Sequence, residues 1–262
     1  MALNFEFLDE IENEIISKEK ICTKVEDLKK FINSKDNAVM YLNIRSINSN
    51  FNQLQLLISR LEFKPFIIVC VETWYVEHEN FFQLPGYHMY YNEGQLNIAD
   101  GVIVYVLNDI VHEAEVIEFD KLKALNIIVQ MSNEKTFEVT SVYRSHKIPK
   151  IEFLSSFKKL IDMKKGLKNH LIVGDFNINL MEDDVFSQVL LETVTGDGYI
   201  PGFYEVTRPS TKNINKGACI DNVFIKAENI EVKTFTLQNS ISDHYTLFCK
   251  IKKHLTHQQT HF

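Results

Sequence analysis

HLIVGDFN, residues 170–177, is the stretch on which the fold turns. Leu171, Ile172 and Val173 make an apolar strand that stops at Asp175, with Asn177 two positions on. A desolvated carboxylate is costly unless it is paired or bound to a metal, so a buried strand that finishes in acid needs a chemical reason to do so. The run follows a helix built on Ile151, Leu154, Phe157 and Ile161 at helical spacing. Before that helix stands FEVTSVYR, which alternates so that Phe137, Val139, Ser141 and Tyr143 share one face.

The same pattern recurs on either side. AVMYLNI is an apolar strand ending at Asn43, followed by a helix that Ser49 or Asn50 can cap and whose Phe51, Leu54, Leu57, Ile58 and Leu61 line one face. After Pro65, FIIVCVE is a second strand and ends at Glu72. Two strands joined by a helix form a crossover unit, and functional groups commonly sit where such strands end. Residues 73–99 read as a long aromatic loop with Pro85–Gly86, and GVIVYVL and LNIIVQM as further strands. A helix near 183–193 leads to a Gly-, Asn- and Lys-rich loop up to Gly217, and the strands CIDNVFI, EVKTFTL and YTLFCKIK complete the pattern.

Residues 4–33 place Leu8, Ile11, Ile15, Val25, Leu28 and Ile32 at helical spacing, which predicts one broken or two short amphipathic helices. The expected organisation is a helical appendage over 1–36 that packs on the core or docks a protein partner, one domain over 37–253, and a polar tail over 254–262. His254, His257 and His261 in that tail read as part of a polar terminus and not as a metal cluster.

A chain of 262 residues that is 45% hydrophobic can bury the core of a single large α/β domain. Cys22, Cys70, Cys219 and Cys249 are scattered and form no CxxC pair, as expected of buried thiols in a reducing compartment. No stretch approaches the roughly 20 apolar residues of a membrane span, so the expectation is a soluble intracellular chain, nuclear or cytoplasmic. The net charge of −7 and pI near 5.7 lack the basic footprint of a protein that holds nucleic acid mainly by charge. Acidic residues gathered around a divalent cation account for part of that imbalance.

Asn43, Glu72, Asp175, Asn177 and Asp221 all stand at the ends of apolar runs, and Ser242–Asp243–His244 precedes another. Phosphodiester hydrolysis uses such a set. Magnesium takes one or two carboxylates and keeps several waters, so Glu72 with Asn43 makes a minimal site, and oxygen ligands favour magnesium over zinc. Asp175 suits orientation or deprotonation of the attacking water, and Asn177 and Tyr143 suit the phosphate oxygens. Asp221 can fix the tautomer of His244 and stabilise its charged form, or His244 can serve simply as a hydrogen-bond donor.

LNIRS at 42–46, ETW at 72–74, VYR at 142–144, GDFN at 174–177, IDNVF at 220–224 and SDH at 242–244 resemble, in identity and order, the motif series of the endonuclease/exonuclease/phosphatase superfamily. NIRSINSNFNQL, ETW, DGVIVYV, VTRPS at 206–210 and CIDNVFI are most similar to the DNA-nicking endonucleases of non-long-terminal-repeat retrotransposons. The resemblance implies a four-layer αββα sandwich of two packed mixed sheets with helices outside. It implies magnesium, or manganese, held by Glu72 with support from Asn43. Asp175 would then position the water, and Tyr143 and Asn177 would contact the scissile phosphate. Asp221 would pair with His244, Asp243 would lie beside metal and phosphate, and Arg144, Thr207 and Arg208 would contact substrate. The implied substrate is duplex DNA, nicked by a monomer to leave a 3′-hydroxyl.

Two positions depart from the pattern. Arg45 stands where the repair enzymes carry a second acid, which disfavours a second metal and abasic-site specificity. Asp100–Gly101 replaces a glycine pair, with an expected effect on turn geometry alone. Two other functions compete: the same hydrolytic chemistry on a phosphoinositide, sphingolipid or RNA, and a domesticated binding module without activity. With no reverse transcriptase following it, the chain reads as a fragment of an element or a stand-alone derivative.

Overall fold

The computed structural model describes residues 16–74, 76, 78–92, 97–131, 136–210, 216–228 and 230–252. The first part of the expected appendage and the histidine-bearing tail lie outside the described residues. In chain order the strands begin β1 (Ile16–Cys22), β2 (Asn37–Asn43), β3 (Ile67–Val71), β4 (Tyr87–Asn92), β5 (Val102–Leu107), β6 (His112–Phe119), β7 (Leu122–Gln130) and β8 (Thr136–Tyr143). They continue with β9 (Asn169–Asp175), β10 (Ile200–Pro201), β11 (Arg208–Pro209), β12 (Gly217–Ala218), β13 (Asp221–Ala227), β14 (Glu231–Leu237) and β15 (Thr246–Lys252). The helices are α1 (Val25–Leu28), α2 (Ile47–Arg60), α3 (Lys150–Met163) and α4 (Val185–Thr195).

The strands form a sheet of order β1-β14-β15-β2-β3-β5-β4 and a second of order β10-β13-β9-β8-β7-β6, with β11 and β12 as a separate small hairpin. Each large sheet carries at its centre one parallel pair closed by a helix: β2 and β3 through α2, and β8 and β9 through α3. A parallel pair needs such a crossover, and its helix must pack back on the sheet.

Strand parity sorts the side chains into three apolar layers. Val39, Tyr41, Ile67, Val69, Val104, Val139, Leu171, Val173, Val223 and Leu247 fill the space between the sheets. Met40, Leu42, Ile68 and Cys70 face α2 with its Phe51, Leu54 and Leu57. Val142, Ile172 and Phe224 face α3 and α4 with Phe153, Phe157, Leu160 and Leu190. Two mixed sheets packed face to face with helices outside are the four-layer αββα sandwich. All four cysteines are buried free thiols.

Several local expectations are corrected. Ile16–Cys22 is a strand paired in parallel with β14, not a helix, so this part of the presumed appendage belongs to the first sheet. The short α1 follows it, and Cys22, Val25, Leu28 and Ile32 are buried in the α2-side core. The free edge of β14 supplies backbone partners that local helical spacing cannot report. Helix α2 starts earlier than Ser49 or Asn50 predicts, because Ser46 is its cap and accepts from the Ser49 amide. Asn50 instead donates to the carbonyls of Ile44 and Arg45. The supposed loop 73–99 contains edge strand β4, and β6, rich in Glu and mostly exposed, was not foreseen.

Candidate active site

Register brings the motif residues together. Tyr143 lies opposite Asp175, and Asp175 opposite Asp221, so one rung across β8, β9 and β13 carries all three. Their positions continue the faces of Val139, Val173 and Val223, and the three side chains therefore rim the inter-sheet core. Asn43 ends β2 on the facing sheet, two residues beyond the inward-facing Tyr41. The approach of β9 to β8 is close enough that a Cβ on Gly174 would sit 1.8 Å from the Val142 carbonyl oxygen, so the glycine of GDFN is obligatory.

Asp221 is the hub of this rim and is completely buried. Its Oδ1 accepts from the Tyr41 hydroxyl at 2.7 Å, and its Oδ2 accepts from Thr207 at 2.8 Å. His244 Nδ1 lies 2.8 Å from the same Oδ2, so a proton on Nδ1 is directed at the carboxylate and Nε2 is left to act. Burial lowers the pKa of His244, but the Asp221 carboxylate, helped by Asp175 and Asp243, more than offsets this and raises it to about 9. Ser242 holds the turn, donating to the Asn43 carbonyl at 2.6 Å and accepting from the His244 amide at 3.1 Å.

Asp175, also fully buried, accepts from the Asn177 amide at 2.8 Å through Oδ1 and from Asn43 Nδ2 at 3.0 Å through Oδ2. Burial, and next the charge of Asp221, push its carboxyl up to about 8. Asn177 sits at φ 50° and donates from Nδ2 to the Arg144 carbonyl at 2.8 Å. The expected substrate contact of Arg144 does not fit its placement. Its buried guanidinium donates to the carbonyls of Phe176 at 2.7 Å, Ile148 at 2.6 Å and Asn177 at 2.8 Å, which braces the loop after Asp175. Thr207 likewise turns inward to Asp221 and is buried. Tyr41 is the site residue that the sequence reading missed. Its signal was a tyrosine within an apolar strand, since a buried hydroxyl needs an acceptor.

Glu72 follows β3 at φ 51°, a left-handed conformation unusual for a residue with a side chain, and its Oε1 accepts from Tyr143 at 3.3 Å. Arg45, Ser46, Trp74 and Asn177 also have positive φ, so backbone strain gathers at this edge. Gly101, at φ 115°, lets the chain after Glu72 pack closely, because a Cβ there would meet Thr73 Oγ1 at 2.5 Å. The Asp100–Gly101 departure thus bears on local packing.

Asp243 does not stand free beside the other acids. Arg45 Nη1 lies 2.8 Å from its Oδ1, and Arg208 reaches its Oδ2 through Nε at 3.0 Å and Nη2 at 2.9 Å. Burial pushes the Asp243 carboxyl up, but Arg45, His244 and Arg208 together hold it below its ordinary value. His146, which follows VYR, feels the charges of Glu72, Arg208 and His244 and so borders the same rim.

A metal fits this donor set. Asp175, Asp221 and His244 offer ligand atoms within 4.8 Å of one another, and Glu72 and the side-chain oxygen of Asn43, which accepts from the Arg45 amide, are further hard oxygen donors at the rim. The upward shift of Asp175 marks uncompensated negative charge that a cation would relieve. His244 Nδ1 is already committed to Asp221, which leaves the carboxylates as the better ligands.

The two packed sheets with their paired crossovers are similar in fold to solved structures of endonuclease/exonuclease/phosphatase proteins. Among solved structures, an endonuclease/exonuclease/phosphatase protein from Beutenbergia cavernae matches with TM-score 0.64 at 14% identity, over 84% of this chain and 72% of that one. TDP2 from C. elegans matches with TM-score 0.57 at 15% identity, over 86% of this chain and 79% of that one. An AP endonuclease from Archaeoglobus fulgidus matches with TM-score 0.57 at 15% identity, over 81% of this chain and 98% of that one. No protein-family model matches the chain, and no curated protein sequence matches it.

Proposed function

We propose that the chain is a divalent-metal-dependent phosphodiesterase that nicks duplex DNA, with magnesium as the metal. The observation that carries the reading is the convergence of residues from all six motifs on one rim of the sandwich. Asn43, Glu72, Tyr143, Asp175, Asp221 and His244 come from six separate segments, yet hydrogen bonds of 2.7–3.3 Å tie them into three neighbouring groups: Tyr41, Asp221 and His244; Asn43 and Asp175; and Tyr143 and Glu72. A purely structural cluster has no need of two fully buried carboxylates within reach of a histidine. A divalent cation at the rim would offset part of the acidic net charge where the substrate meets the protein.

In this reading Glu72 holds the metal, assisted by Asn43 and the neighbouring carboxylates, and the metal supplies Lewis-acid polarisation of the phosphate. Asp175 takes a proton from the attacking water, a task suited to a carboxyl whose pKa lies near neutrality. The water oxygen bonds to phosphorus as the bond to the 3′ oxygen breaks, and the departing 3′ oxygen takes a proton from solvent water to become the hydroxyl. His244, charged and oriented by Asp221, donates from Nε2 to the phosphate as charge builds there, and Asn177 and Tyr143 add hydrogen bonds. Arg144 positions Asn177 and does not itself meet substrate.

The motif flavour favours intact duplex DNA over other phosphoesters, as in the retrotransposon endonucleases that the sequence resembles. A panel of end-labelled intact duplex, abasic duplex and soluble inositol phosphate tests this. Intact duplex is expected to be cut at least as well as abasic duplex, leaving 3′ ends that a polymerase extends. Strong abasic preference would return the chain to the repair enzymes, and hydrolysis of inositol phosphate alone would make it a phosphatase.

A further inference from the structure

Arg45 and Arg208 approach Asp243 from two sides and engage different oxygens, Arg45 at 2.8 Å on Oδ1 and Arg208 at 2.9–3.0 Å on Oδ2. Two guanidinium groups on one carboxylate leave a net positive charge. Each guanidinium carries five N–H donors, more than one shared carboxylate can use. Arg45 is held at φ 45°, outside the regions a residue with a side chain prefers, between the buried Asn43 and the Ser46 cap. Its amide donates to Asn43 Oδ1 at 3.2 Å, which fixes its stem to the site floor. The side chains of Arg45 and Arg208 are 47% and 36% exposed, whereas Asp175, Asp221 and His244 are buried. The pair therefore stands at the mouth of the site and not on its floor. The distance back to the floor is short, since Asp243 Oδ1 is 3.9 Å from His244 Nε2.

We propose that Arg45 and Arg208, pinned by Asp243, form a subsite for a backbone phosphate adjoining the one that is cut. The inference rests on the phosphodiesterase reading above and adds its substrate requirement: a polynucleotide with a phosphate beside the scissile linkage. An isolated surface ion pair would need neither strained backbone nor two guanidinium groups on one acid. Guanidinium groups pre-oriented by a carboxylate are suited to bidentate recognition of phosphate oxygens. The acid that would otherwise be available to a second cation is here occupied, so positive charge at the mouth comes from the protein itself. Phosphate contacts of this kind set register on the strand without reading its sequence.

Equilibrium binding separates this proposal from the activity reading. Fluorescence anisotropy of a labelled duplex oligonucleotide, with calcium in place of magnesium, is measured across 50–300 mM salt (roughly the range where counterion release dominates) for the wild type, Arg45→Ala, Arg208→Ala and Arg45→Lys. Each alanine variant is expected to weaken binding about tenfold and to reduce the slope of log affinity against log salt by about one. Arg45→Lys keeps the slope but recovers only part of the affinity, because a point charge lacks the fork. A neutral methylphosphonate placed at successive positions beside the cut site should weaken wild-type binding at one position and leave Arg45→Ala indifferent there. Unchanged slopes and equal methylphosphonate losses in all proteins would overturn the subsite, and melting temperatures exclude misfolding as the cause. Duplex bound in this manner but never cut would sink the nuclease reading and leave the subsite standing, while no duplex binding at all by the wild type would overturn both.

Discussion

Replacing Asp221 by Asn removes the charge that sets the state of His244 while keeping a side chain of the same size. In the wild type His244 is raised from 6.5 to about 9 even though burial acts in the opposite direction. At about 1.36 kcal/mol per pH unit, that gap is on the order of 3 kcal/mol in favour of the imidazolium, supplied first by the Asp221 carboxylate and then by Asp175 and Asp243. Without it, burial leaves the ring neutral near pH 7.5, and a reaction that uses the charged ring should slow by about 300-fold. His244→Ala should cost about as much. The double variant should be no slower than the worse single variant, because the two residues act as a unit. Single-turnover nicking at pH 6–9 is the assay, with melting temperatures recorded in parallel. The basic limb near pH 9 expected of the wild type should be absent from both variants. If the two losses multiplied, and the pH profile of Asp221→Asn matched the wild type, Asp221 would be a structural hub that satisfies Tyr41 and Thr207 and nothing more.

Two further predictions concern stability. Burial and the charge of Asp221 raise the Asp175 carboxyl to about 8 in the folded chain against 3.8 when unfolded; its contribution to stability is present below pH 3.8 and is lost as pH rises through about 8, where the carboxylate forms. Asp175→Asn should therefore raise the melting temperature in chelator at pH 8 by several degrees, at roughly 2–4 °C per kcal/mol, while abolishing nicking; a lower melting temperature would refute the uncompensated charge. His170 acts in the other direction: it lies between Tyr199 at 2.6 Å and Thr140 at 2.7 Å, and burial lowers its pKa to about 3. The unfolded chain binds the extra proton between pH 6.5 and about 3, so stability falls as pH drops through that window. The stability advantage of the wild type over His170→Gln, measured by denaturant, should shrink by about 2 kcal/mol from pH 7 to pH 5, and a constant difference would contradict it.

The strands that end in polar groups were legible because their pattern is local: a buried run has to stop, and Asn43, Glu72, Asp175 and Asp221 mark the stops. Crossover helices with clear apolar faces, such as Phe51, Leu54 and Leu57 on α2, made an α/β domain legible, whereas the four layers were implied by the family resemblance alone. What escaped was set by distant partners. The segment Ile16–Cys22 interrupts the helical spacing of residues 4–33, and the open edge of β14 makes it a strand. Strand β6 is nearly all exposed and carries no alternation to read. Arg144 and Thr207 were assigned to substrate by their place in motifs, but direction cannot be read from a motif, and both side chains turn inward. Tyr41 was hidden because an inward-facing tyrosine looks, in one dimension, like core. The Asp243 clamp needed Arg45 and Arg208, 163 positions apart in the chain, to meet on one carboxylate.

The central claim, that this rim is a metal-dependent nicking site, is tested most directly by supercoiled plasmid incubated with purified protein and magnesium, with and without chelator, beside Glu72→Gln. The substitution keeps the shape of the side chain and removes the charge that a magnesium ion needs. The account predicts conversion to nicked circles that chelator stops, that returns with excess magnesium or manganese, and that Glu72→Gln lacks at sub-millimolar magnesium while melting like the wild type. Nicking by Glu72→Gln at the wild-type rate, or nicking that persists in chelator, would contradict it.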